Sequence, residues 1–445
     1  MDVKTYGRTD RFELELYAEV NPLLEQGEGG IDRILDALDA FSSDLLPDRI
    51  QVGQASQAYT RANVRRRIKT QQKHLSIVGA SLSLVRSADP DALFSFDFKP
   101  PASPVGLRLW VVLPFDWFEN DPDGSRAASF VRLFRALAGV CHPVYAWGHN
   151  KADFWLGDDP HKESMLAPKK VYEAYWLNYY GPAMVDEIGR ERVLATPSES
   201  IEQLSDGGVL ILTRPTPADY ASEEARRAQA RMLAHLRDDV SFDEALARLL
   251  ERSARLAPVE RAFDPSVAPL LELLLDEVPF AERQQETARL NAFHPPDVTE
   301  WRPADEQLPP DVDDVDEEID RYSGLFAEQL AALLHKDVPS VMQGSPESLP
   351  QIDYHFYHFD FPSEFDRVDI EDDLVPAVGA YLGEVLCRNL GGRWVPRKNI
   401  DESQVIVGDR AWLPFLRARR YLHDRQSLLD YSLTQFFYAV RAYAG

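Results

Sequence analysis

Cysteine is nearly absent: only Cys141 and Cys387 occur in 445 residues, far apart and outside any CxxC spacing. That excludes a disulfide framework and a thiolate zinc site, and each is expected as a small buried apolar residue. Basic charge is short as well, since 48 Lys and Arg face 73 Asp and Glu and leave a net charge of −25. Such a field repels phosphates and anionic lipid and speeds encounter with a basic partner. Neither nucleic acid nor a membrane surface is therefore expected as a partner. Uncharged apolar runs never approach the roughly 20 residues that span a bilayer. The opening MDVKTYGRTDRFELELYAEV lacks the basic, then apolar, order of a secretion signal. A cytoplasmic location is expected.

Catalytic signatures are missing too. The chain has no GxSxG, SxxK, HExxH or Walker-type glycine loop. Cys141 adjoins His142, but sequence neighbours rarely face one another, so adjacency makes no dyad. No catalytic residue, metal or cofactor is expected.

What is present is globular: 44% of residues are hydrophobic and 11% aromatic, and the length implies two or three domains. Phe12, Leu14, Leu16, Ala18 and Val20 alternate with glutamates, which predicts a half-buried strand with Glu13, Glu15 and Glu19 on its outer side. A Gly-rich turn from Gly27 to Gly30 leads into Ile31, Ile34, Leu35, Leu38, Phe41 and Leu45 at helical spacing. Further strands are predicted at His74–Val85, Ala92–Phe98, Leu107–Phe115, Val144–Trp147, Tyr172–Tyr179 and Val209–Thr213, with a helix over Ser125–Ala138. Pro182 suits the first turn of another helix, and Asp206-Gly207-Gly208 reads as a turn. Helices follow at Ser222–Leu236, Ser241–Leu256 and Pro265–Glu277. Prolines from Phe293 to Pro310 and the acidic run Asp311–Asp320 mark a solvated linker. The last part combines an aromatic strand at Gln351–Phe361 and a helix over Leu374–Leu390 stopped by Gly391-Gly392. Short strands around Trp394 and Val405–Val407 and helices at Trp412–Leu422 and Leu428–Ala442 complete it. The fold class is α+β, with an α+β domain over 1–217, a helical segment and acidic linker over 218–310, and a smaller α+β domain over 311–445.

Two histidine clusters invite a metal reading. In a strand, His355 and His358 point to opposite faces and cannot share an ion. His142, His149, Asp153, Asp158, Asp159 and His161 match no zinc or calcium loop, and a binding or solvated loop fits them better. Glu384, in an otherwise apolar helix, needs water or a donor, and Arg388 one turn on supplies an ion pair. The alternative is an acid for a hydrolase or transferase, working with His355 or His358. The basic stretches Arg61–Lys73 and Arg417–Arg420 lack interleaved aromatics and read as salt-bridged surface.

About half the chain resembles the type VI secretion immunity family. The likeness lies in the opening strand and helix, Leu107–Phe115 with Trp110, and Tyr175-Trp176-Leu177-Asn178-Tyr179-Tyr180-Gly181-Pro182. Ile188-Gly189-Arg190-Glu191-Arg192 and Asp206-Gly207-Gly208-Val209-Leu210-Ile211 extend it. The C-terminal part resembles a second bacterial domain of unknown function through Gly379–Leu386, Leu390–Trp394 and Val407–Trp412. The first resemblance implies a non-catalytic bacterial protein that binds and neutralises a cognate secreted toxin, and the charge favours a toxin with a basic face. Trp147, Phe154, Trp155 and Tyr180, in or beside a predicted loop, are the expected anchors of that interface. A two-domain adaptor is the other binding alternative. The oligomeric state stays open.

Overall fold

The computed structural model describes residues 7–19, 22, 28–52, 55–72, 79–100, 103–157, 167–359, 365–423 and 428–444. The fold is α+β, and the chain forms two compact units. The first comprises Met1–Pro258 with Pro279–Gln284; the second comprises Val259–Val278 with Gln285–Gly445.

The first unit is built on a ten-stranded sheet ordered β3-β2-β4-β5-β6-β1-β7-β8-β10-β9. Its strands are β1 (Arg11–Ala18), β2 (Arg49–Val52), β3 (Ala55–Ala58), β4 (Ala80–Arg86), β5 (Ala92–Phe98) and β6 (Leu107–Pro114). The series continues with β7 (Tyr145–Asn150), β8 (Leu177–Tyr180), β9 (Ser200–Gln203) and β10 (Val209–Leu212). The sequence-predicted Ala92–Phe98 recurs residue for residue, whereas His74–Val85 is described only from residue 79 and forms β4 from Ala80.

β1 lies in the middle of the sheet, paired antiparallel with β6 and β7. Phe12, Leu14 and Leu16 face a core formed with α1 (Glu28–Asp39), α2 (Arg61–Gln72) and α3 (Ser125–Cys141). The expectation that the glutamates of β1 face solvent is corrected here. All eight residues of the strand are buried, and Glu13 and Glu15 are each only 5% exposed. A central strand has neighbours on both edges and a covered second face, so its polar side chains must find partners inside. Glu15 accepts from Tyr17 and Arg108, and Glu13 lies 3.5 Å from Lys151.

The second face of the sheet is divided along β1. Beyond it, Tyr145, Trp147, Tyr180, Val209 and Ile211 form a second core with residues of α5 (Pro182–Ile188), α6 (Glu223–Leu236) and α7 (Phe242–Leu256). Pro182 begins α5, Ser222 caps α6, and Ser241 with Glu244 closes a reciprocal capping box on α7, as those sequences prescribe. On the near side, one row runs from Gln51 through Ser83, Ser95 and Trp110 to Glu15 and Trp147. Ser83, Ser95 and Trp110 in that row remain half-buried.

The second unit surrounds α12 (Val375–Leu390), whose side chains are buried on most faces. Around it pack α10 (Ala327–Leu334), α11 (Ser348–Phe359), α13 (Pro414–His423) and α14 (Leu433–Ala444). A small antiparallel sheet of β11 (Trp301–Pro303), β12 (Arg393–Val395), β13 (Gln404–Val407) and β14 (Arg410–Trp412) completes the unit. Before these helices come α8 (Ala268–Asp276) and α9 (Val315–Asp320), the latter formed from the end of the acidic run. Gly391 ends α12 at φ +68°, the left-handed stop its sequence predicts.

The aromatic strand expected at Gln351–Phe361 is instead, over its described residues 351–359, the helix α11. Leu349, Ile352 and Phe356 are buried at three- and four-residue spacing, and that period outweighs the aromatic density that suggested a strand. The opposite-face argument for His355 and His358 falls with it; His355 is buried and His358 exposed on this helix. Among the described residues, no helix is long and apolar enough to cross a membrane.

Candidate functional site

The sequence-marked residues of the first unit converge on β7 and the short helix α4 (Lys151–Leu156), on the second face of the sheet. Asn150 caps that helix by accepting the amide of Asp153 at 3.0 Å. Trp147 stacks on Phe154 with ring centroids 4.0 Å apart, and Tyr175 lies 5.0 Å from Trp147. Tyr180 stacks on Tyr145. Trp147, Phe154 and Tyr180 are thus core residues, between 1% and 5% exposed, whereas Trp155 is 41% exposed. Of the four expected anchors, only Trp155 presents substantial surface.

Beneath Trp155 is a buried polar network. Asp153 receives both terminal nitrogens of Arg226, and Nε2 of His149 lies 2.7 Å from the same carboxylate. Arg252 approaches Asp153 at 3.8 Å and Glu173 at 3.1 Å. The amide of Trp176 donates to Nδ1 of His149, which leaves the proton on Nε2 to be given to Asp153. Burial pushes the His149 imidazole down to about 4, so it is neutral. Asp153 is held well below the usual carboxylate range by the opposing Arg252, His149 and Arg226, against the cost of its burial. A neutral imidazole sealed from solvent and a carboxylate saturated with donors offer no proton-transfer chemistry. They fix α4 to α6 and α7. The histidine cluster expected on a loop therefore lies, for His149 and Asp153, in regular structure; Asp158, Asp159 and His161 fall outside the described residues.

The Asn–Tyr–Tyr–Gly–Pro segment is architectural as well. Asn178 donates to the carbonyl of Tyr175 and accepts its amide, pinning the entry to β8. Tyr179 donates to Asp206, and a Cβ on Gly208 would lie 2.0 Å from the Tyr179 hydroxyl oxygen. That glycine is required for the turn into β10 to pass the phenol.

Next to Trp155 the sheet supplies residues that sequence reasoning did not assign to an interface. Lys151, one helical turn before Trp155, places its ammonium 5.3 Å from the ring centre of Trp110 on β6. Arg108 on the same strand pairs with Glu15 and retains 24% side-chain exposure. Lys151, Trp110 and Arg108 thus lie at or beside the half-buried serine row, with Trp155 one helical turn along α4, and they supply aromatic and guanidinium groups of the kind that dominate protein interfaces. The signal available in sequence was Trp110; its partner on α4 is a product of topology.

The second unit holds a groove of about 690 Å³ whose walls include Tyr381, Glu384, Arg388 and His335. Glu384 accepts from Trp394 Nε1 at 2.9 Å and lies 3.3 Å from Arg388, the ion pair its sequence position suggests. The groove wall takes neither His355 nor His358. Within the basic stretches, Arg61 reaches Asp36 and Asp39, Arg65 reaches Asp32 and Arg420 meets Glu300, whereas Arg417, expected at the surface, is buried against the same Glu300. Both cysteines are free, and burial pushes each thiol up to about 12. Among the described residues, no group of three or more His, Cys, Asp or Glu is arranged to hold a metal ion.

No protein-family model matches this chain, and no curated protein sequence does. Among solved structures, a Pseudomonas aeruginosa T6SS protein aligns with 55% of this chain and 86% of its own, at 13% identity and a TM-score of 0.35.

Proposed function

We propose that the protein is a cytoplasmic immunity-type protein that binds a cognate secreted toxin and blocks it by occlusion, without catalysis. The observation that carries this reading is the exposed Trp155, one helical turn along α4 from Lys151, whose ammonium lies over Trp110 on the large sheet. Rigid support beneath Trp155, from the Asp153–Arg226 pair, pre-organises that side chain and lowers the ordering cost of binding. A specific interface of this kind buries about 800 Å² per partner, centred on one or two aromatic anchors. The net charge of −25 accelerates encounter with a toxin whose active face is basic.

The test is co-expression with a candidate cognate toxin, followed by calorimetry on the purified pair. Growth is rescued by the unaltered protein. Trp155→Ala weakens binding by about 2 kcal/mol, roughly thirtyfold in Kd. Unchanged toxicity in the presence of the protein rejects the reading. Full rescue together with undiminished affinity in Trp155→Ala and Trp110→Ala retains a toxin binder but removes this face as the interface.

A further inference from the structure

The groove of the second unit lies between α10, α12 and the turn Pro339–Gln343. Ala327 and Ala331 give one wall small apolar side chains, and Met342 stands at the rim with 66% of its surface exposed. Apart from the exposed Glu328, the polar groups of the walls are already engaged inside the unit. Tyr381 donates to the carbonyl of Val341, Glu384 accepts from Trp394, and Nδ1 of His335 donates to the carbonyl of Ala332. A small polar ligand would find few handles here. An extended peptide would find no strand edge on helical walls to take its backbone hydrogen bonds. A third helix needs neither, because its side chains enter the furrow between two helices.

Charge selects among helices. The wall helix α10 continues α9 without a break through a π-turn at Arg321–Phe326, with right-handed helical dihedrals at both junctions. Along it, Asp316, Glu317, Asp320 and Glu328 are exposed and, among the described residues, have no basic partner. Their neighbours do: Asp311 meets Arg397, Asp313 meets Lys398 and Glu318 meets Arg321. Arg388 on the groove wall is already next to Glu384. We propose that this groove docks a basic amphipathic helix of a partner protein, with its apolar side chains against Ala327, Ala331 and Met342 and its cationic side chains toward the unpaired carboxylates of α9 and α10. This site is independent of the sheet face of the first unit.

The experiment uses the full chain and a fluorescein-labelled amphipathic helix of leucine and lysine, followed by anisotropy. Binding weakens with added salt, and a leucine–glutamate helix of the same pattern does not bind. Ala331→Trp fills the groove without changing net charge and raises Kd about tenfold or more. Met342→Ser, at an exposed side chain that folding does not need, raises it about fivefold. Asp316→Asn with Asp320→Asn flattens the salt dependence. Trp155→Ala leaves all of this unchanged. Equal binding to the Ala331→Trp and Met342→Ser proteins would mean non-specific attraction to an acidic chain, and the proposal fails. It fails also if the leucine–lysine helix does not bind, or if the leucine–glutamate helix binds as well.

Discussion

Arg226 grips Asp153 through two parallel hydrogen bonds of 2.6 and 2.7 Å, with both side chains at most 1% exposed. The pair joins the first turn of α6 to α4, which carries Trp155. Removing one partner of such a pair leaves the other charge buried and uncompensated. Asp153→Ala is expected to destabilise the first unit by about 3–5 kcal/mol. The lowered urea midpoint, read with an unchanged slope, measures it. The double variant Asp153→Leu with Arg226→Met should recover much of that loss, because no unpaired ion then remains.

Glu13 gives the first unit a pH dependence of defined sign. Burial, opposed by Lys151, pushes its carboxyl up from 4.5 to about 7. A group whose folded pKa is raised contributes stability that is complete below its unfolded value and is lost as pH rises through the folded value. Glu13 therefore supports folding most at about pH 4.5 and least above about 7. Glu13→Gln keeps the neutral shape at every pH. Its stability relative to the unaltered protein should rise between these limits by about 3 kcal/mol, then level off. Chemical denaturation of both proteins at several pH values across that interval checks the slope; a constant difference contradicts it.

How far the sequence speaks depends on whether a signal is local. The alternation of Phe12, Leu14 and Leu16 is local, and it gives β1 correctly. That Glu13 and Glu15 are buried is not local, since it follows from β1 lying between β6 and β7, strands far along the chain. The same reason hides the contact of Lys151 with Trp110, so Trp155 could be suspected from its loop-like setting while its neighbours could not. Edge strands such as Ala55–Ala58 and Ser200–Gln203 are four residues long and largely polar, and carry little pattern at all. α11 is a different failure, because the helical period of Leu349, Ile352 and Phe356 was there to be counted. Capping residues performed best: Ser222, Ser241 and Gly391 mark helix ends by chemistry that needs no tertiary partner.

Arg410 fastens the last helix to the small sheet. Its guanidinium carbon lies 3.6 Å from the ring centre of Trp301 on β11 and 3.5 Å from that of Tyr443 on α14. A planar cation stacks between two rings in a way that an ammonium does not. Arg410→Ala should cost about 1–2 kcal/mol, and Arg410→Lys a large part of it. Faster amide exchange at the end of α14, with the first unit unaffected, is the distinguishing readout.

Gly383 sets how closely α12 approaches β12. A Cβ there would lie 2.0 Å from Cζ2 and 2.2 Å from Cη2 of Trp394, a ring that is 5% exposed and donates to Glu384. In an exposed helix, Gly→Ala is stabilising, by up to about 1 kcal/mol. Here the methyl group meets a fixed indole wedged near Tyr322 and Phe415, so packing outweighs propensity. Gly383→Ala should destabilise the second unit by about 1–3 kcal/mol or more. Trp394→Phe removes ring atoms from the collision but forfeits the bond to Glu384. The double variant should therefore be more stable than the sum of the single losses implies. Additive losses in a thermal or urea double-mutant cycle would show that the glycine is needed for some reason other than the Trp394 contact.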